Sequence, residues 1–290
     1  MVETPEFSVA DEHVVRFVAI GDAGRKNSLQ REVGEAAVRH CAQRGCDFVL
    51  LLGDLVYPRG MEHPNDTEAV LRIVAPYADT GIPIVGVLGN HDYGHGSDRK
   101  RAGYLLDWAA ERHDVVMPGN AWHTIAGPIK LVGLDTAAAM AFGAEPQKTW
   151  LKGVFSGIDG DPWVVVVGHH PRWSNGPHGN AGAYEGVRGL PWVSGNGVLS
   201  LLERVEERAH LYLSGHDHSR QLIDHGRMIQ VVSGAGGSAT RLVDRGNDPV
   251  FASATPGFVW IELRDDEGTL EFVDAAGAVD SAHIVRRRPR

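Results

Sequence analysis

VVRFVAIGDAG, residues 14–24, decides the architecture. Its first seven residues are apolar except Arg16 and rich in β-branched side chains, as expected of a strand buried on both faces. The run ends in Gly21, and a carboxylate, Asp22, follows at once. The same pattern recurs in FVLLLGDLVY (48–57), PIVGVLGNHD (83–92), WVVVVGHHP (163–171) and LYLSGHDH (211–218). Glycine permits a sharp turn and a close backbone approach. In open α/β sheets, sites form just past the carboxyl ends of the strands. The five loops are therefore expected to converge on one place.

The intervening segments support an α/β chain. Residues 27–43 read as a helix with Leu29, Val33, Ala36, Ala37 and His40 on one face, and residues 66–78 as another. Strand, helix and strand at this spacing imply right-handed parallel crossovers. Further helices are expected over 98–111, 146–155 and 198–208, and a strand pair over 121–126 and 129–135. The last third is β-rich, with strands at 228–234, 258–263 and 269–274. Residues 172–197 form a Gly-, Asn- and Pro-rich loop too long for a mere connection, hence functional or mobile.

A chain of 290 residues, 43% hydrophobic, can bury a real core and is expected to form one catalytic domain over residues 14–275. Residues 1–13 would be an N-terminal extension and 276–290 a solvated C-terminal tail containing RRRPR. A net charge of -9 argues against a nucleic-acid-binding surface. No stretch is apolar for the roughly 18–20 residues that span a bilayer, so no membrane partner is expected. The first residues lack a basic region followed by an apolar run. That points to the cytoplasm, or to secretion or the periplasm if a leader has been removed. Cys41 and Cys46 are too few for a disulfide framework and read as small packing residues.

The five loops offer Asp22, Asp54, Tyr57, Asn90, His91, Asp92, His169, His170, His216 and His218. Carboxylate, imidazole and amide together suit divalent or trivalent first-row metals better than calcium or magnesium. One ion cannot use so many donors, but two sharing a bridging carboxylate, roughly 3.5–4 Å apart, can. Bound cations would also reconcile an acidic protein with an anionic substrate. Taken singly, each motif has a bland reading: Gly-Asp after a strand is usually a turn, and Asn tolerates a left-handed backbone. Their joint occurrence after successive buried strands points to a metal centre.

These residues resemble the calcineurin-like metallophosphoesterase superfamily, and within it the purple acid phosphatases, including the tartrate-resistant type. The resemblance rests on Asp22-Ala23-Gly24, on Gly53-Asp54 followed by Tyr57, on Asn90-His91-Asp92, on His169-His170-Pro171 continuing to His178, and on His216-Asp217-His218. It implies a β-sandwich of two mixed sheets flanked by helices, a four-layer αββα fold. It further implies Fe(III) at Asp22, Asp54, Tyr57 and His218, and Fe(II), Zn(II) or Mn(II) at Asp54, Asn90, His169 and His216. Asp54 would bridge the ions. His91 and His178 would contact the phosphate or protonate the leaving oxygen, and Asp92 would orient His91 or a ligand. His170 receives no ligand role.

The expected activity is hydrolysis of small phosphate monoesters by metal-activated hydroxide, as in an acid phosphatase. The trivalent ion would acidify its water, and attack would be in line. A phosphodiesterase or nucleotide hydrolase of the same superfamily is the alternative; a non-catalytic scaffold on this fold is the third reading. Gly234 to Gly237 lacks the Lys-Ser/Thr of a P-loop and reads as a tight turn near the site. Trp173 and Trp192 line the pocket or pack the loop. The remaining histidines, His95 among them, read as surface or packing residues.

Overall fold

The computed structural model describes residues 9–94, 97–158, 160, 162–186 and 194–289; His95 and Trp192 lie outside them. Two seven-stranded mixed sheets pack face to face, with helices on both outer surfaces, as the resemblance implied. In the first sheet β1 (Val14–Ile20), β2 (Phe48–Leu52), β3 (Ile84–Val87) and the short β4 (Val115–Val116) run parallel. β12 (Gly257–Arg264), β13 (Glu267–Asp274) and β14 (Val279–Arg286) extend it antiparallel from β1. In the second sheet, β6 (Ile129–Gly133), β7 (Trp163–Val167), β8 (Leu211–Ser214) and β10 (Ile229–Ser233) form the parallel block. β5 (Trp122–Ala126) closes one edge, and β9 (Arg220–Asp224) and β11 (Pro249–Ser253) the other.

Period-two alternation sorts each strand between two cores. Val15, Phe17 and Ala19 point between the sheets, where Phe17 stacks on Phe48 with ring centroids 4.7 Å apart. Val18 and Ile20 point outward to Val33, Ala36 and Ala37 of α1 (Ser28–Arg44). On the far side, Val132, Val164 and Val166 lie under α4 (Glu145–Ser156) and α5 (Asn196–Glu206). α2 (Arg99–Ala110) covers the first sheet near β4, and α3 (Thr136–Phe142) packs on α5.

Three features depart from the sequence reading. Residues 66–78 are not an α-helix: a π turn, Val70–Val74, runs into a 3-10 turn, Ala75–Thr80. Pro76 has no N–H for the carbonyl of Arg72 and its ring would clash there in an α-helix. Gln30 Nε2 donates to that carbonyl instead, at 2.7 Å. β4, β9, β11 and α3 are additional elements. The stretch read as a C-terminal tail contributes the edge strand β14. Within the long loop, residues 172–186 are pinned to the sheet, Asn175 N donating to Gln221 Oε1 at 2.8 Å and Tyr184 Oη to Pro171 O at 2.5 Å.

The cysteines also depart from it, because Cys41 and Cys46 form a disulfide. Asn27 caps the start of α1 by accepting from Gln30 N at 2.8 Å. At the other end Gly45, at φ 82°, turns the chain back. Cys46 thereby comes within 5.1 Å of Cys41, Cα to Cα. Closing so short a ring stabilises by about 2 kcal/mol in the loop-entropy view. The Cys41→Ser/Cys46→Ser double variant is expected to lose that amount in denaturant unfolding. The native chain should show no free thiol before reduction; two titratable thiols would contradict the bond.

Candidate metal centre

Five loops meet where the carboxyl ends of the two parallel blocks converge, and glycine makes the approach possible. A Cβ on Gly21 would lie 2.9 Å from Gly215 Cα, and one on Gly53 would lie 2.7 Å from His169 Nδ1. Larger residues would force the sheets apart. Asp22, Asp54 and His216 adopt φ of 58°, 56° and 69°. Left-handed backbone is uncommon for non-glycine residues and costs of order 1–3 kcal/mol each. Three such residues at one point mark backbone held in place for its side chains.

Asp22, Asp54 and His169 are buried, and one donor atom of each lies within 4.8 Å of the others. Around Asp22, Tyr57 Oη donates to Asp22 Oδ1 at 3.0 Å and to Asp54 Oδ2 at 2.7 Å. His218 Nε2 is 3.3 Å from Asp22 Oδ1 and 3.4 Å from Tyr57 Oη. On the other side of Asp54, its Oδ1 lies 3.5 Å from His169 Nε2, which is 3.0 Å from Asn90 Oδ1. The two oxygens of Asp54 thus face two different clusters.

Hydrogen bonds behind the site set the imidazole tautomers. His169 Nδ1 meets Leu52 O at 2.8 Å, and His91 Nδ1 meets Pro58 O at 2.6 Å. A carbonyl only accepts, so both Nδ1 atoms carry the proton and both Nε2 atoms face inward. His218 Nδ1 is held by Ser238 Oγ at 2.8 Å, again turning Nε2 toward the carboxylates. With Nδ1–H of His169 committed, its Nε2 meets the Asn90 oxygen as a lone pair, an arrangement that a second proton or a cation between them would satisfy.

Electrostatics agree. Burial alone would raise Asp22, but the charge of His169 and the hydrogen bonds and charge at His218 outweigh it and hold its carboxyl well below the usual range. Burial lowers His169, yet Asp54 and Asp22 reverse the sign and raise it. Burial, with neighbouring imidazoles, keeps His170 and His216 well below ordinary histidine. Burial and the two carboxylates raise the Tyr57 phenol strongly. Buried carboxylates this close are unfavourable unless charge of the opposite sign accompanies them.

The remaining expected residues fall around this core. His91 Nε2 is 3.8 Å from Asp54 Oδ2, and its ring lies 4.2 Å from that of Tyr57. The His178 ring stacks on His216 at 4.2 Å, and its Nδ1 is held by Glu185 Oε1. His216 contacts His169 and His170 through its ring, and its N–H donates to Asp22 Oδ2 at 2.8 Å. Asp92 serves the backbone rather than His91: it accepts from Leu55 N, Val56 N and Gly89 N at 2.9, 3.0 and 2.8 Å. Burial and the charge of Asp54 push its carboxyl up to about 7, against the pull of those N–H groups. His170 Nδ1 turns away to Thr136 Oγ1 at 2.9 Å. Gly234 to Gly237 sit by the site: a Cβ on Gly234 would lie 2.8 Å from Asp22 Oδ2. Trp173 stacks on His225 instead of lining the site.

Sequence reading passed over three supports. Buried Asp217 holds the His178 loop by accepting from His178 N at 2.9 Å, and Ser238 and Thr136 brace histidines. The signal for Asp217 was the parallel with Asp92, each an acid directly after a loop histidine. Ser238 and Thr136 lie outside every loop motif and carried no signal. Arg25 was missed too; its guanidinium lies 4.1 Å over the Tyr57 ring.

The chain has acid phosphatase relatives at low sequence identity. Tartrate-resistant acid phosphatase type 5 of Rattus norvegicus is 27% identical, over 97% of this chain and 93% of that protein. Purple acid phosphatase 4 of Arabidopsis thaliana is 26% identical, over 91% and 81% respectively. Among solved structures, an anchor protein of the Plasmodium inner membrane complex superposes with TM-score 0.77 at 21% identity, over 96% of this chain and 90% of that one. A dimetal phosphatase of Danio rerio gives 0.60 at 14%, over 95% and 100%. Both likenesses concern the fold. Residues 15–220 match the calcineurin-like phosphoesterase family, and that span contains every candidate ligand from Asp22 to His218; the chain is a member of that family.

Proposed function

We propose that this chain hydrolyses small phosphate monoesters at a dinuclear metal centre, in the manner of an acid phosphatase. The observation that carries the reading is Asp54, with one oxygen directed to Tyr57 and the other toward His169. Asp22, Tyr57 and His218 would hold one ion with Asp54, and Asn90, His169 and His216 the other. Phenolate and carboxylates favour a trivalent ion such as Fe(III); imidazole and amide favour Fe(II), Zn(II) or Mn(II). Buried carboxylates whose oxygens lie within 4.8 Å of each other and of an imidazole nitrogen, and an imidazole nitrogen facing an amide oxygen, fit cations well. When bound, the ions would supply charge for the phosphate oxygens and acidify the attacking water.

The chain's own groups do the rest. His91, its Nδ1 fixed on Pro58 O, directs Nε2 into the site and, once that nitrogen is protonated, would hand the proton to the leaving oxygen. His178, braced by Glu185, stands beside His216 and would hold the phosphate. Asp92 and Asp217 fix both histidine loops from behind, so little reorganisation is needed at reaction. The acid phosphatase relatives support a phosphate ester substrate. The fold likeness to an anchor protein raises a scaffold reading, but the full donor set favours catalysis. The disulfide favours an oxidising compartment over the cytoplasm.

Rates on an aryl phosphate monoester, an aryl diester and a nucleotide, measured side by side with and without chelator, test the proposal. The monoester is expected to be fastest and the chelator to abolish it. A faster diester or nucleotide would replace the substrate assignment, and chelator-insensitive turnover would remove the metal centre.

A further inference from the structure

The donors assigned to the second ion come from different sheets: Asn90 follows β3 of the first, and His169 and His216 follow β7 and β8 of the second. Their spacing therefore depends on how the two sheets are joined at that edge. On the β1 side Gly21 N donates to Ser233 O at 2.7 Å, and Ser233 Oγ donates to Ala19 O at 2.7 Å. On the β3 side the joint includes side chains. Tyr93 directly follows Asn90-His91-Asp92 and is buried. Its hydroxyl crosses to Asp135 Oδ2 of the second sheet at 2.5 Å. Asn120 donates to both, at 2.8 Å each.

Asp135 is also held to its own segment. It caps α3 by accepting from Ala138 N at 2.7 Å, and Gln147 brackets its backbone N–H and carbonyl at 3.0 and 2.6 Å. The next residue, Thr136, is buried, and its hydroxyl accepts from His169 N at 3.1 Å and His170 N at 3.0 Å. A continuous chain of bonds thus runs from the Asn90 loop through Tyr93, Asp135 and Thr136 to the His169 turn. Asp22 and Tyr57 are not part of it.

We propose that Tyr93 and Asp135, with Thr136, are positioning residues that set the distance between Asn90 and His169 and so tune the second metal position selectively. The inference rests on the dinuclear reading above. Groups that orient ligands from behind typically account for 10–100-fold in metal affinity, and Tyr93→Phe removes one hydroxyl without leaving a cavity.

Metal-free parent and Tyr93→Phe would be titrated with Zn(II) by calorimetry, with thermal melting of the metal-free proteins as the folding control. The parent is expected to bind two ions. In Tyr93→Phe the weaker event should lose about tenfold or more in affinity, while the tighter one stays within about twofold. Thr136→Val should reproduce the selective loss and Thr136→Ser should restore parent behaviour, a rescue that a general packing role would not give. Parent-like binding of both ions in Tyr93→Phe, or equal weakening of both, overturns the inference and leaves the dinuclear reading standing. A parent that binds fewer than two ions overturns the dinuclear reading and this inference with it.

Discussion

Asp54→Ala is expected to lower turnover of an aryl phosphate by more than about 100-fold, the upper range for residues that only support ligands. Asp54 directs one oxygen to each of the two clusters. Its Oδ2 accepts from Tyr57 and its Oδ1 faces His169, while Oδ1 also accepts from His91 N at 2.8 Å. Removing it would strip one donor from each ion and free the loop that carries His91. Metal content should therefore fall together with activity, and excess Zn(II) or Mn(II) should recover little. A variant that retains two ions per chain and parent-like turnover would show that the carboxylate does not bridge.

His91→Asn is expected to have the next largest effect, about 10²–10⁴-fold, the range for loss of a positioned proton donor. The size should depend on the leaving group. A nitrophenolate leaves without help, so its monoester should lose least. An alkoxide needs the proton, so an alkyl phosphate should lose most. Metal content should stay at the parent value, because His91 approaches Asp54 from the rim, with its Nε2 3.8 Å from Oδ2. Equal losses on both esters would remove His91 as the acid. His178, also at the rim and held by Glu185, would then be the group to test.

Much of this protein was legible because its chemistry is written at strand ends. β1, β2, β3, β7 and β8 are buried on both faces, so they read as near-continuous apolar runs, and the polar residue after each closing glycine stands out. The same burial explains why the five loops could be expected to meet. The elements that escaped notice lack that contrast. β4 is two residues long. β9 is half polar, and its Arg220 is buried against Asp280 and Thr255 O. β14 lies at a sheet edge with Ile284 exposed, so its composition resembles a tail. Around residues 66–80 the missing N–H of Pro76 overrode helical periodicity, and Gln30 from a distant helix made that tolerable. The disulfide depended on the turn at Gly45, a conformation that cysteine spacing does not announce.

At the site, donors read more easily than the groups that hold them. Asp22, Asp54, Tyr57, His169 and His218 follow recognisable loops, and the structure brings them together. Thr136, Ser238 and Tyr93 act through backbone or single hydroxyl contacts formed only when the sheets pack. No local pattern marks such a contact. Asp92 was legible as a supporting carboxylate, but its partners, three backbone N–H groups, were not.

The central claim is that two ions sit on either side of Asp54, with Tyr57 on one of them. Elemental analysis of the aerobically purified protein, paired with its visible spectrum, tests this most directly. The account predicts two metal ions per chain, iron among them, and a visible band that disappears in Tyr57→Phe. Protein that is active yet free of bound metal would contradict it.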